Sequence, residues 1–192
     1  PAPDPYVAEV LGRLAAAPAE RAYFAAWYEA LGLAQAALGR VRLGAAGACC
    51  GAWGCGETVR RAPGGAWEPT ERGLVQMLVN RFPVLCPLPP PEAQGALAPG
   101  LALAAAWSED PRTLVLFVGN AGPVAQRVAV DLSALNRHFA FWTSEQLSAE
   151  IAKPRASASV PVVCKQKVGS ALRQAVEIDC PPASFTRVAI KE

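Results

Sequence analysis

Six cysteines are the most reactive residues in this 192-residue chain: Cys49, Cys50, Cys55, Cys86, Cys164 and Cys180. An even count in a proline-rich chain points to disulfides and an oxidising compartment. Cys164 and Cys180 close two consecutive expected strands, which makes them a candidate pair. Cys49, Cys50, Cys55 and Cys86 are then candidates to serve one another, although sequence alone does not fix connectivity. Two other readings stay open. Four thiolates could hold zinc, but the adjacent Cys49-Cys50 lacks the spacer usual within zinc-ligand pairs. The cysteines could also be reduced and buried, as unpaired thiols commonly are.

Other reactive groups exclude more than they suggest. His138 is the single histidine, and no Ser or Cys motif beside it completes a nucleophilic triad. There is no Gly-x-Ser-x-Gly elbow and no phosphate-cradling glycine pattern. Gly44-Ala45-Ala46-Gly47 has the wrong spacing and suits close strand packing. No cofactor is therefore expected. Trp53, Trp67 and Trp107 could offer aromatic faces to a sugar, or serve core and interface packing. Trp27 and Trp142 are assigned to packing. No Asn begins an N-glycosylation sequon.

The elements that would position these residues fall into two parts. Residues 19–39 read as a long helix, with Tyr23, Trp27, Ala30/Leu31, Ala34 and Leu38 at helical spacing and Gly39 as the stop. Val41 to Cys50 suits a strand buried on both faces. Gly54 to Ala66 reads as a polar loop. Thr70 and Glu71 open a second helix, as cap and dipole partner, whose apolar side is Leu74, Met77 and Leu78. With a strand over residues 5–10, this alternation implies an α/β arrangement too small to cover itself, so more protein is needed. The run Pro87-Leu88-Pro89-Pro90-Pro91 is stiff and extended, a linker or strap over 87–99.

Beyond it the pattern is β. Expected strands are Leu101–Trp107, Thr113–Val118, Gln126–Leu132, Phe139–Thr143, Val160–Cys164, Arg173–Ile178 and Phe185–Ile190. Turn signals separate them, including Glu109-Asp110-Pro111, Asn120-Ala121-Gly122-Pro123, Lys167-Val168-Gly169-Ser170 and Pro181-Pro182. About seven short strands in roughly 90 residues indicate an antiparallel sandwich. The fold class is thus α+β in two parts: residues 1–86 barrel-derived, 87–99 linker and 100–192 β-sandwich.

Bulk properties narrow the partners. Hydrophobic residues make up 52% and the net charge is +2. No Lys/Arg run exceeds the pair Arg60-Arg61, so neither a nucleic-acid surface nor an anionic-membrane patch is expected. No apolar stretch is long enough to span a bilayer. The chain opens Pro1-Ala2-Pro3-Asp4-Pro5 without an initiator Met, and is expected to follow a processing event or to belong to a longer product.

In order, these pieces resemble the C-terminal end of a retaining glycoside hydrolase of the (β/α)8-barrel clan, nearest the α-L-arabinofuranosidase and heparanase-like families. Tyr6-Val7-Ala8-Glu9-Val10 resembles barrel strand seven, and Phe24 to Leu33 the helix after it. Val41 to Trp53 occupies the place of strand eight. Pro69-Thr70-Glu71-Arg72-Gly73 resembles the Pro-Thr-x-x-Gly start of the last helix. Thr113–Asn120 and Val128–Leu132 resemble two sandwich strands. Pro181-Pro182-Ala183-Ser184-Phe185 resembles the start of the final one.

The resemblance implies Glu9 as nucleophile, forming a glycosyl intermediate, with Trp53 and Trp67 against the sugar. It implies a secreted or cell-surface protein with a polysaccharide partner. Such hydrolases need two carboxyl groups about 5 Å apart. This chain has no Asn-Glu pair for the acid/base and no room for strands one to six. The missing half-barrel must come from a further segment or second chain. Otherwise the scaffold is a non-catalytic structural or carbohydrate-binding component of an extracellular glycoprotein assembly.

Overall fold

The computed structural model describes residues 27, 30–32, 58–80, 84–88, 98, 100–122, 124–149, 162–171 and 174–192. Strands β1 (Val59–Arg61) and β2 (Trp67–Pro69) form a hairpin that precedes helix α1 (Glu71–Asn80). Then follow β3 (Val84–Pro87), β4 (Leu101–Ser108), β5 (Thr113–Asn120), β6 (Gln126–Asp131), β7 (Phe141–Ala149), β8 (Val162–Ser170), β9 (Ala175–Cys180) and β10 (Ser184–Lys191). A six-stranded sheet runs β3-β4-β5-β10-β7-β8, and β6 pairs with β9 in a small second sheet. Every strand pairing among the described residues is antiparallel.

Two cores flank the large sheet. On one face Ala104, Ala106, Val115, Phe117, Leu147 and Phe185 pack against the helical residues Trp27, Ala30, Leu31, Val75, Leu78 and Val79. On the other, Leu103, Leu114, Leu116, Val118, Val188 and Ile190 meet Val130, Val176, Ile178 and Cys180 of the small sheet. Alternate side chains of a strand point to opposite faces, so the stretch Leu114–Val118 of β5 must be apolar without a break to serve both cores. All eight residues of β5 are buried. Phe117 stacks on Phe185 with ring centroids 6.2 Å apart. Alanines at 102, 104 and 106 keep the helix-facing side of β4 shallow.

The joints are local chemistry. Thr70 Oγ1 accepts from the Gly73 amide at 3.2 Å, a side-chain cap on α1. A Cβ on Gly73 would sit 2.0 Å from the Thr58 carbonyl oxygen, so the hairpin can lie against α1 only with glycine there. The Asn120 amide donates to the carbonyls of Val124, Cys180 and Pro181, and its Oδ1 accepts from Gly122 N. One buried side chain thus ties the end of β5 to the β9–β10 turn. In that turn Ser184 Oγ donates to Pro181 O at 2.7 Å. Trp27 Nε1 donates to Ala183 O at 2.8 Å, a buried bond from the helical layer to the sandwich.

The structure departs from the sequence reading in several places. The loop expected over 54–66 contains β1. The Pro-rich region begins as strand: β3 pairs with β4 at the sheet edge, where a proline removes no ladder bond from a neighbour. Strand β7 runs to Ala149 rather than Thr143, and β8 runs through the expected turn at Lys167–Ser170. The turn signal there was Gly169. It lies opposite Trp142, and a Cβ on it would fall 2.4 Å from the indole ring. That glycine makes room for a ring, not for a turn.

The expected strands at 5–10 and 41–50 lie outside the described residues. Trp27 and residues 30–32 are helical, within the span expected for the first helix.

Candidate functional site

The sandwich opens on one side. The small sheet covers β4, β5 and β10, and its β9 edge meets the inner face of β7 and β8 across a cleft of about 300 Å³. Trp142, Ser144 and Gln146 of β7, Lys165 and Lys167 of β8, Thr186 of β10 and residues 177–179 of β9 line it. Period-two alternation places Trp142, Ser144 and Gln146 on one face. The register sets Gly169, Lys167 and Lys165 directly beside them.

Gln146 is fixed at the centre. Its Nε2 donates to Asp179 O at 2.6 Å and to Thr186 Oγ1 at 3.0 Å, which leaves Oε1 as an acceptor. The rim is charged. Asp179 accepts from Arg127 Nε at 3.1 Å and from Lys167 Nζ at 3.3 Å. Those two cations, Lys167 first, hold its carboxyl below the usual carboxylate range. Glu177 lies 3.7 Å from Arg127. Ile178 gives the cleft an apolar wall. An aromatic ring beside hydroxyl, amide and ammonium groups can recognise a polyol.

The opposite face of the same strands carries a different device. Glu145 of β7 and Arg187 of β10, both buried, form an ion pair, and Gln166 Nε2 donates to Glu145 Oε1 at 3.1 Å. Both carboxylate oxygens are engaged, so Glu145 is held as a structural group.

The sequence-expected site residues are not brought together among the described residues. Glu9 and Trp53 lie outside them, as do Cys49, Cys50 and Cys55 and the side chains of Cys86 and Cys164. Trp67 sits on β2 with 62% of its surface exposed, open to a partner. The face of Trp107 is taken by Arg137, whose guanidinium carbon lies 4.4 Å from the ring centroid. Cys180 is a buried free thiol in the structure. Burial, with Asp179 nearby, pushes it up to about 12. His138 is exposed. Trp142, read from sequence as packing, does pack over Gly169 but also lines the cleft. The signal that could have revealed the site is the period-two row Trp142-Ser144-Gln146 beside Lys165-Lys167-Gly169.

No protein-family model matches the sequence, and no curated protein matches it. Among solved structures, the chain is similar to an arabinose-bound α-L-arabinofuranosidase, with TM-score 0.54 and 18% identity over 66% of this chain and 20% of that one. The described part is a β-sheet-rich domain similar in fold to part of that enzyme. It is also similar to α-L-arabinofuranosidase from Thermotoga maritima, with 20% identity and TM-score 0.41 over 50% of this chain and 20% of that one. A xyloglucanase from Paenibacillus polymyxa shows 11% identity and TM-score 0.44 over 64% and 23%. The chain thus spans 20% of the length of the arabinose-bound enzyme. Two of the motifs behind the sequence resemblance, both on described residues, prove to be joints: Thr70 and Gly73 seat α1, and Ser184 shapes the β9–β10 turn. They carry architecture rather than chemistry.

Proposed function

We propose that this chain is the C-terminal part of an extracellular retaining glycoside hydrolase acting on cell-wall or matrix polysaccharide, catalytic only when the rest of a (β/α)8 barrel is present. The supporting observation is a sandwich sheet sealed on one face by a helical layer through α1 and the Trp27–Ala183 bond. Its fold is shared with an α-L-arabinofuranosidase of which the chain spans 20%. On this reading residues 1–86 belong to the barrel and the sandwich follows the Pro-rich stretch. Glu9 attacks the anomeric carbon, and an acid/base about 5 Å away, from the completing segment or chain, protonates the leaving oxygen. Trp53 and the exposed Trp67 stack on the sugar.

The test is hydrolysis of an aryl α-L-arabinofuranoside and of aryl glycosides of other sugars by the protein as purified from its source. Turnover that disappears in Glu9→Gln while substrate binding persists supports the proposal. Turnover unchanged by Glu9→Gln removes Glu9 from the mechanism.

One observation favours a second reading, a non-catalytic carbohydrate-binding component: the polar, Trp-lined cleft lies wholly within the sandwich. That reading predicts glycan binding with no turnover, even with every partner present.

A further inference from the structure

The inner face of a sandwich sheet is ordinarily apolar, because it lines the core. Here it changes character across a single sheet. Leu116 and Val118 of β5 and Val188 and Ile190 of β10 obey the rule, whereas β7 and β8 present Trp142, Ser144, Gln146, Lys165 and Lys167 on that face. The site is prepared rather than left over. Gln146 is held by two bonds that leave its acceptor oxygen to the cleft. The Ser144 hydroxyl, though its residue is buried, makes no hydrogen bond among the described residues. Gly169 is the one residue type that lets the Trp142 ring lie against β8.

Charge narrows the ligand. Lys167 is paired with Asp179, and Arg127 serves Asp179 and Glu177. Lys165 is exposed and forms no ion pair among the described residues. One cation without an ion pair among the described residues, beside two carboxylates that are themselves paired, suits a single carboxylate held within the cleft.

We propose that this cleft is a saccharide-binding site selective for a uronate-bearing unit, whose ring lies against Trp142, whose hydroxyls meet Ser144, Gln146 and Thr186, and whose carboxylate meets Lys165. The choice of a saccharide rests on the carbohydrate-active reading above; the site and its charge preference come from the cleft. Its volume is at the small end of the roughly 300–1,000 Å³ of ligand sites, enough for a short segment of a longer chain.

The test is calorimetric titration of the full protein with trigalacturonate and with the neutral galactotriose. Trigalacturonate is expected to bind more tightly by a factor of roughly five, the upper range for an exposed ion pair, and added salt should erase the difference. Lys165→Gln should remove the preference and leave the neutral affinity unchanged. Trp142→Ala should weaken both sugars, with a thermal melt confirming that it folds. Lys165→Gln alters an exposed side chain and keeps the test decisive if Trp142→Ala does not fold.

Binding of neither sugar, or binding that both variants leave unchanged, overturns the site. Equal affinity for the two sugars overturns its charge preference. Glu9→Gln should leave this binding intact. Lys165-dependent binding without turnover would therefore sink the hydrolase reading alone, and turnover without such binding would sink the cleft alone.

Discussion

Strands β5 and β8 belong to the same sheet and have opposite surroundings. In β5 every residue is buried. In β8, residues 165–168 are exposed, and Val168 shows 76% of its surface. The cause is coverage. Helical residues lie over one face of β4, β5 and β10 and the small sheet over the other, while β8 is an edge with a cleft beside it. Lysines at 165 and 167 also suit an exposed edge, since charge there discourages pairing with another chain. Stability therefore concentrates in the middle of the sheet, and recognition chemistry is free to occupy its margin.

The strongest way to break this contrast is Phe117→Ala. Phe117 is fully buried and stacked on Phe185, and its truncation should cost about 3–5 kcal/mol in urea unfolding. A loss no larger than that of a β8 surface change, within about 0.5 kcal/mol, would refute it. Glu145→Gln comes next, because it shows that β7 is buried on its helix-facing side although its other side lines a cleft. It removes the carboxylate charge from a buried ion pair and should cost about 3 kcal/mol. Trp27→Phe then asks whether the helical layer is fastened to the sandwich. It keeps an aromatic ring but gives up part of the indole and the bond to Ala183 O, and the stranded buried carbonyl alone costs about 1–3 kcal/mol.

The smallest effect at neutral pH is at Cys180, which acts through a pH dependence. Cys180 belongs to the second core, and its folded value of about 12 lies above the ordinary 9.0. A raised folded pKa gives stability that is complete below pH 9.0 and is lost as pH rises towards about 12. Stability should fall across that alkaline window, and Cys180→Ala should flatten the fall. An equal slope in the variant would place the titration elsewhere.

How much was legible in the sequence follows the same division. All of the sandwich strands expected after residue 100 are present, because turn residues punctuate them and the continuous run Leu114–Val118 announces a strand covered on both sides. Thr70 was legible as a cap because capping is local. The extension of β7 was hidden because Ser144, Gln146 and Ser148 look like loop residues until the cleft is known. The extension of β8 was hidden because Gly169 signals a turn, and only the Trp142 ring opposite explains it. The cleft itself joins β7, β8 and β9 with β10, whose nearness depends on sheet order and not on spacing along the chain. Glu9 and Trp53 rest on resemblance and lie outside the described residues.

The central claim is that this domain works as one portion of a larger hydrolase. The most direct measurement is the intact mass of the protein purified from its source, under native conditions and again after reduction. The account predicts a mass well above 20.1 kDa, or a tightly held second chain that supplies an acid/base carboxylate. A single species at 20.1 kDa with no partner would contradict it.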